Sequence, residues 1–153
     1  MKLLRLSLLL SLGMTLFTYA HAQDPEHPVK WKFTVEKTKG DIFVLKAEAE
    51  LSSGFHIWAL DAGGDGSLIP TTFEFDDEDE IRWKSDWKES PEPKVQILEY
   101  VDGAVRWHES KVVFSRSFIS DNPMPLNGSV NFQVCNAQSC FPPEDAGFKL
   151  QVK

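Results

Sequence analysis

The chain has 153 residues, a formal charge of −7, 42% hydrophobic and 12% aromatic residues, and two cysteines. That length suits one domain with a substantial core. The acidic balance argues against nucleic acid or an anionic membrane as a partner, because both select for basic surfaces.

Met1 to Arg5 form a short basic start, Leu6 to Phe17 an apolar stretch, and Ala20-His21-Ala22 an A-x-A cleavage signal. Residues 1–22 are therefore expected to be a signal peptide and residues 23–153 the exported domain. No later run approaches the ~20 apolar residues of a membrane helix, so the exported chain is expected to be soluble. Without Lys2 and Arg5, 14 basic side chains face 23 acidic ones, a net charge of −9. The compartment is one in which disulfides persist.

Trp31, Phe33 and Val35 alternate with polar residues and predict a first strand. Lys39-Gly40-Asp41 turns the chain into a longer strand with Phe43, Leu45, Ala47, Ala49 and Leu51 on one face. Ser52-Ser53-Gly54 is a second turn, and residues 55–60 a further strand. Asp61 to Ser67 is a glycine-rich loop without the Lys-Ser/Thr continuation and helix that phosphate cradles use. Thr71 to Phe75 is a short strand, followed by five consecutive carboxylates, Asp76 to Glu80. Their run lacks the spacing of a calcium loop and reads as a solvated turn that discourages edge pairing. Trp83 and Trp87 have a helix-compatible spacing in a segment too short for a helix.

Pro91 and Pro93 interrupt the chain. Strands are expected over Val95 to Val101, Ala104 to His108 and Lys111 to Ile119, with Asp102-Gly103 as a hairpin turn. Asp121 to Pro125 and Asn127-Gly128 carry turn chemistry. Ser129 to Val134 and Gly147 to Val152 alternate as the last strands. About nine strands, turns throughout and no convincing helix predict an all-β, immunoglobulin-like β-sandwich. Trp31, Phe33, Phe55, Trp58, Phe73, Phe75, Trp107, Phe114, Phe118 and Phe132 are its expected aromatic core.

Between the last two strands lies Cys135-Asn136-Ala137-Gln138-Ser139-Cys140-Phe141-Pro142-Pro143-Glu144. The two thiols can pair if the turn brings their Cα atoms to roughly 4.4–6.8 Å. Such a short loop contributes only about 2 kcal/mol as a staple. Spacing leaves three readings open: a structural bridge, a redox-active pair, or metal ligands. Cys135, Cys140, His56 and His108 are suitable types for zinc or copper, but their intervals have no metal-motif regularity. A single histidine on a strand is more commonly packing or surface, although an imidazolium near a thiol favours thiolate.

The cysteine loop resembles that of the amino-terminal periplasmic domain of DsbD-type thiol:disulfide interchange proteins, whose cysteine pair is followed by an aromatic, two prolines and usually a glutamate. Ser53 to Trp58 and Ile69 to Phe75 resemble two strands of the same family. The resemblance implies electron transfer between a thioredoxin-like protein or domain and oxidised periplasmic proteins, with a link to cytochrome c biogenesis and no cofactor or metal. It implies that Cys140 forms the mixed disulfide and Cys135 resolves it. A cap over the pair would be Tyr100, or Val101 beside it, with His56, Trp58, Phe141 and Pro142 lining the site. No membrane or thioredoxin domain is expected beyond Lys153, so the expected electron donor is a separate protein, with a separate membrane electron-transfer protein as one candidate. The expected state is a monomer. The competing reading is a non-catalytic exported β-sandwich that binds a protein or carbohydrate and keeps a structural disulfide.

Overall fold

A computed structural model describes residues 27–153. The signal peptide expected over residues 1–22 lies outside them. The described residues form an immunoglobulin-like β-sandwich of antiparallel strands and contain no α-helix. In chain order these are β1 (Val29–Lys37), β2 (Ile42–Leu51), β3 (His56–Gly63), β4 (Thr72–Phe75), β5 (Arg82–Trp83) and β6 (Lys88–Ser90). There follow β7 (Lys94–Ile97), β8 (Ala104–Glu109), β9 (Lys111–Ile119), β10 (Met124–Phe132), β11 (Val134–Cys135) and β12 (Glu144–Val152).

One layer has the order β1-β2-β9-β5, with β6 also paired to β9. The other comprises β12-β10-β4 and β11-β3-β8-β7, joined where β10 passes through Gln133 into β11. The period-two pattern of β2 decides the packing: Phe43, Leu45, Ala47, Ala49 and Leu51 are buried. They meet Val112, Phe114 and Phe118 from β9, and Ile57, Val130, Phe132 and Val134 from the facing layer. Each fully buried aromatic or branched side chain contributes about 1.5–3 kcal/mol.

The second layer is unusual in burying both faces of β3 and β8. Ile57 and His108 face the sandwich, while Trp58 and Trp107 face away from it. On that far side, Trp58, Ala62, Val101, Val105, Trp107 and Cys135 form a separate apolar cluster. Val101 therefore belongs to the floor of this cluster and is itself buried.

Several boundaries depart from the sequence reading. Asn127-Gly128 lies inside β10, where a Cβ at Gly128 would collide with the Glu74 carbonyl of β4. The glycine is required by backbone approach, not by a turn. The loop expected from Asp61 begins later, because β3 continues through Gly63 with a register irregularity after Trp58. The strand expected through Val101 stops at Ile97, and Leu98 to Val101 form a turn. Trp83 and Trp87 lie on an extended edge path whose Lys84 and Ser85 bond to Ser117. Their rings are 6.2 Å apart, and Phe73 stacks on Trp87 at 3.9 Å. The carboxylate run includes a short 3-10 turn, Glu78–Glu80, all of it exposed.

One polar contact ties the layers together. Buried His108 of β8 bonds Glu89 of β6 through Nε2 at 2.8 Å, and the same carboxylate oxygen accepts the Leu60 N–H at 3.2 Å. Glu89→Ala strands both groups in the interior and is expected to cost about 1–3 kcal/mol in urea unfolding. A change within experimental error would show that the contact has no net worth.

Candidate functional site

The register of three strands builds the site. Cys135 of β11 is opposite His56 of β3, and His56 is opposite Glu109 of β8. Directly opposed residues project from the same side of a sheet, with Cβ atoms about 4.5–5.5 Å apart. Cysteine, imidazole and carboxylate thus form one row across the sheet, on the side away from the main core.

Cys135 and Cys140 are joined by a disulfide. Their Cα atoms are 3.9 Å apart, closer than the range expected from the sequence, because the two residues form an isolated antiparallel bridge. The turn between them is closed by its own backbone. Asn136 N–H donates to the Ser139 carbonyl at 2.9 Å, and Phe141 N–H to the Val134 carbonyl at 2.8 Å. Asn136 Oδ1 accepts from the Gln138 and Ser139 N–H groups, both at 2.9 Å. Gln133 Nε2 donates to the Phe141 carbonyl at 3.0 Å, fixing the segment beyond Cys140.

The two ends of the bridge differ in environment. Cys135 is only 1% exposed, within the cluster of Trp58, Val101 and Trp107, whereas Cys140 is exposed. The bridge borders a cleft of about 890 Å³ that His56, Trp58, Trp107, Glu109, Gln96 and Tyr100 also line. Tyr100 is 82% exposed and stands on the rim. Phe141 and Pro142 turn to a neighbouring hollow of about 590 Å³ shared with Phe55 and Pro143. The structure thus brings Cys135, Cys140, His56, Trp58 and Tyr100 to one cleft, places Val101 beneath it, and sets Phe141 and Pro142 beside it.

His56 packs against both tryptophans, with ring centroids 5.3 Å from Trp58 and 5.3 Å from Trp107. Burial holds its pKa below the ordinary histidine value, against the opposing pull of Glu109. Glu109 receives a hydrogen bond from Lys94 Nζ at 2.5 Å and another from Trp107 Nε1 at 3.2 Å. Those bonds, Lys94 first, keep its carboxyl below the usual range. His108 points to the opposite side of β8, so the set Cys135, Cys140, His56 and His108 does not converge.

Glu109 is a cleft-lining neighbour of His56 that sequence reasoning missed. The strand was expected to end at His108, and one further residue puts Glu109 on the side of Trp107. Trp107, expected in the core, is buried in the apolar cluster on the far side of the sheet and also borders the cleft.

No family model and no curated protein matches the chain. Solved structures do. The N-terminal periplasmic domain of ScsB from Proteus mirabilis superposes with a TM-score of 0.61 and 18% identity, over 84% of this chain and 48% of that one. The chain thus spans about half the length of that structure. The reduced N-terminal domain of DsbD from Neisseria meningitidis gives 0.60 and 14% identity, over 86% and 90% of the two chains. The complex of the DsbD and PilB N-terminal domains from the same organism gives 0.60 and 13%, over 84% and 87%. The shared feature is the fold.

After reduction, exposed Cys140 is expected to react with iodoacetamide at least about tenfold faster than buried Cys135. Peptide mass spectrometry after brief treatment measures the ratio; equal labelling would contradict the asymmetry of the pair.

Proposed function

We propose that this domain is a periplasmic thiol–disulfide exchange module. It passes electrons between a thioredoxin-like partner and oxidised proteins through the Cys135–Cys140 pair. The observation that carries the reading is the unequal placement of the two sulfur-bearing residues, one buried and one open to a partner. Exchange needs an accessible sulfur to attack and a second that departs and returns without being lost to solvent. The resemblance of the cysteine loop to DsbD-type domains supports the same assignment, as does the shared fold. A neighbour of this fold held in complex with another protein domain supports a protein partner.

In the proposed reaction a partner thiolate attacks Cys140 Sγ. The Cys135–Cys140 bond breaks, and its electron pair leaves on Cys135. The partner's second thiolate then attacks its own sulfur in the mixed disulfide and releases reduced Cys140. The partner is oxidised by two electrons and this domain is reduced by two. Running the steps backwards hands those electrons to an oxidised client. Tyr100 on the rim is the proposed gate residue, and Val101 below it anchors the turn that carries Tyr100. Residues 1–22 are the proposed export signal, in keeping with the periplasmic location of the ScsB domain.

With Cys135→Ser, the remaining Cys140 thiol is expected to capture an oxidised thioredoxin as a mixed disulfide. The Cys140→Ser variant should give no more than about a tenth of that adduct. Non-reducing electrophoresis reads the result. Equal adducts from the two variants, or a bridge potential well below about −300 mV, would favour a structural disulfide.

A further inference from the structure

A buried cysteine that must become a thiolate needs somewhere for its proton to go. Within the cysteine turn there is none: Asn136, Ala137, Gln138 and Ser139 are uncharged. Cys135 itself lies in an apolar cluster, where an isolated thiolate is penalised by desolvation. Directly across the strand pair stands His56, and directly across from His56 stands Glu109.

We infer that His56 accepts the Cys135 proton during exchange, and that Glu109 is the positioning residue that steadies the resulting imidazolium. The inference rests on the exchange reading and deepens it by assigning the proton path. In the oxidising direction a client is joined to Cys140 as a mixed disulfide. The Cys135 thiol gives its proton to neutral His56, and the Cys135 thiolate attacks Cys140 Sγ. The Cys135–Cys140 bond forms as the Cys140–client bond breaks. The client sulfur leaves as a thiolate with the electron pair, and the imidazolium returns the proton to it or to solvent. Charge created at Cys135 is thus matched by charge created at the adjacent position.

The surroundings favour this division of labour. β11 presents Cys135 and no charged group to His56, β8 presents Glu109, and Lys94 of β7 reaches only as far as Glu109. Arg106 and His108 alternate onto the other side of β8. Contact with Trp58 and Trp107 holds the ring in place, and partial burial keeps it unprotonated and ready to accept. Glu109 is itself fixed by Trp107 and Lys94, which keeps its charge aimed along the row.

The test uses the reduced domain and dithiobis(nitrobenzoic acid), an aromatic disulfide that reports each sulfur exchange as released thionitrobenzoate. The first release is attack by Cys140; the second is closure by Cys135. His56→Gln should slow the second release at neutral pH by at least about tenfold and leave the first within about threefold. Its pH dependence should move up towards the ordinary thiol value of about 8.5. Glu109→Gln should shift the same profile upward by less, and Glu109→Asp should restore it. A wild-type thermal melt for each variant shows that the fold is intact. If the second release keeps its rate and pH profile in His56→Gln, or if both releases slow alike, the relay is overturned and the exchange reading stands. If no release occurs from the wild-type domain, both fall.

Discussion

The antiparallel register of β11, β3 and β8 is the constraint on which the site depends. It fixes two things at once, because side chains alternate strictly across a sheet. Ile57, Val134 and His108 go inward to the sandwich core, and Cys135, His56 and Glu109 go outward in a row. A slip of one residue would bury the imidazole and expose Ile57, exchanging the two faces. The large apolar surface committed to the core therefore protects the alignment of a few polar groups outside it. The geometry of the row is thus held mainly by packing in the main core, on the other side of the sheet.

The outward side also needs its own shelter. Trp58, Trp107, Val101 and Val105 give the row an apolar floor, and the Leu98 to Val101 turn closes one end. This second cluster explains why a small domain carries tryptophans on a face that a simple sandwich would leave to water. It also explains the different treatment of the two cysteines, since Cys135 belongs to that floor and Cys140 stands above it.

Much of the fold was legible because β1, β2 and β9 alternate cleanly and their turns carry the residues turns require. The cysteine loop was legible from its composition. What the sequence could not show is pairing between distant strands. The family resemblance set His56 at the site, but the register that puts it opposite Cys135, with Glu109 beyond it, is not in a linear reading. Asn127-Gly128 was misread for the same reason: its glycine answers to Glu74 on another strand, and local chemistry alone indicates a turn. Trp83 and Trp87 have a helix-compatible spacing in a segment read as too short for a helix, and β5 and β6 on either side of that segment both pair with β9 and keep it extended.

The turn that joins the cysteines is closed by four backbone and side-chain hydrogen bonds that do not involve sulfur. Breaking the S–S bond therefore leaves the two thiols as near neighbours, at a high effective molarity towards each other. Little chain entropy has to be recovered when the bond reforms. The cross-link is thus spared from holding the loop together, as the proposed exchange role requires of a bond that opens and closes.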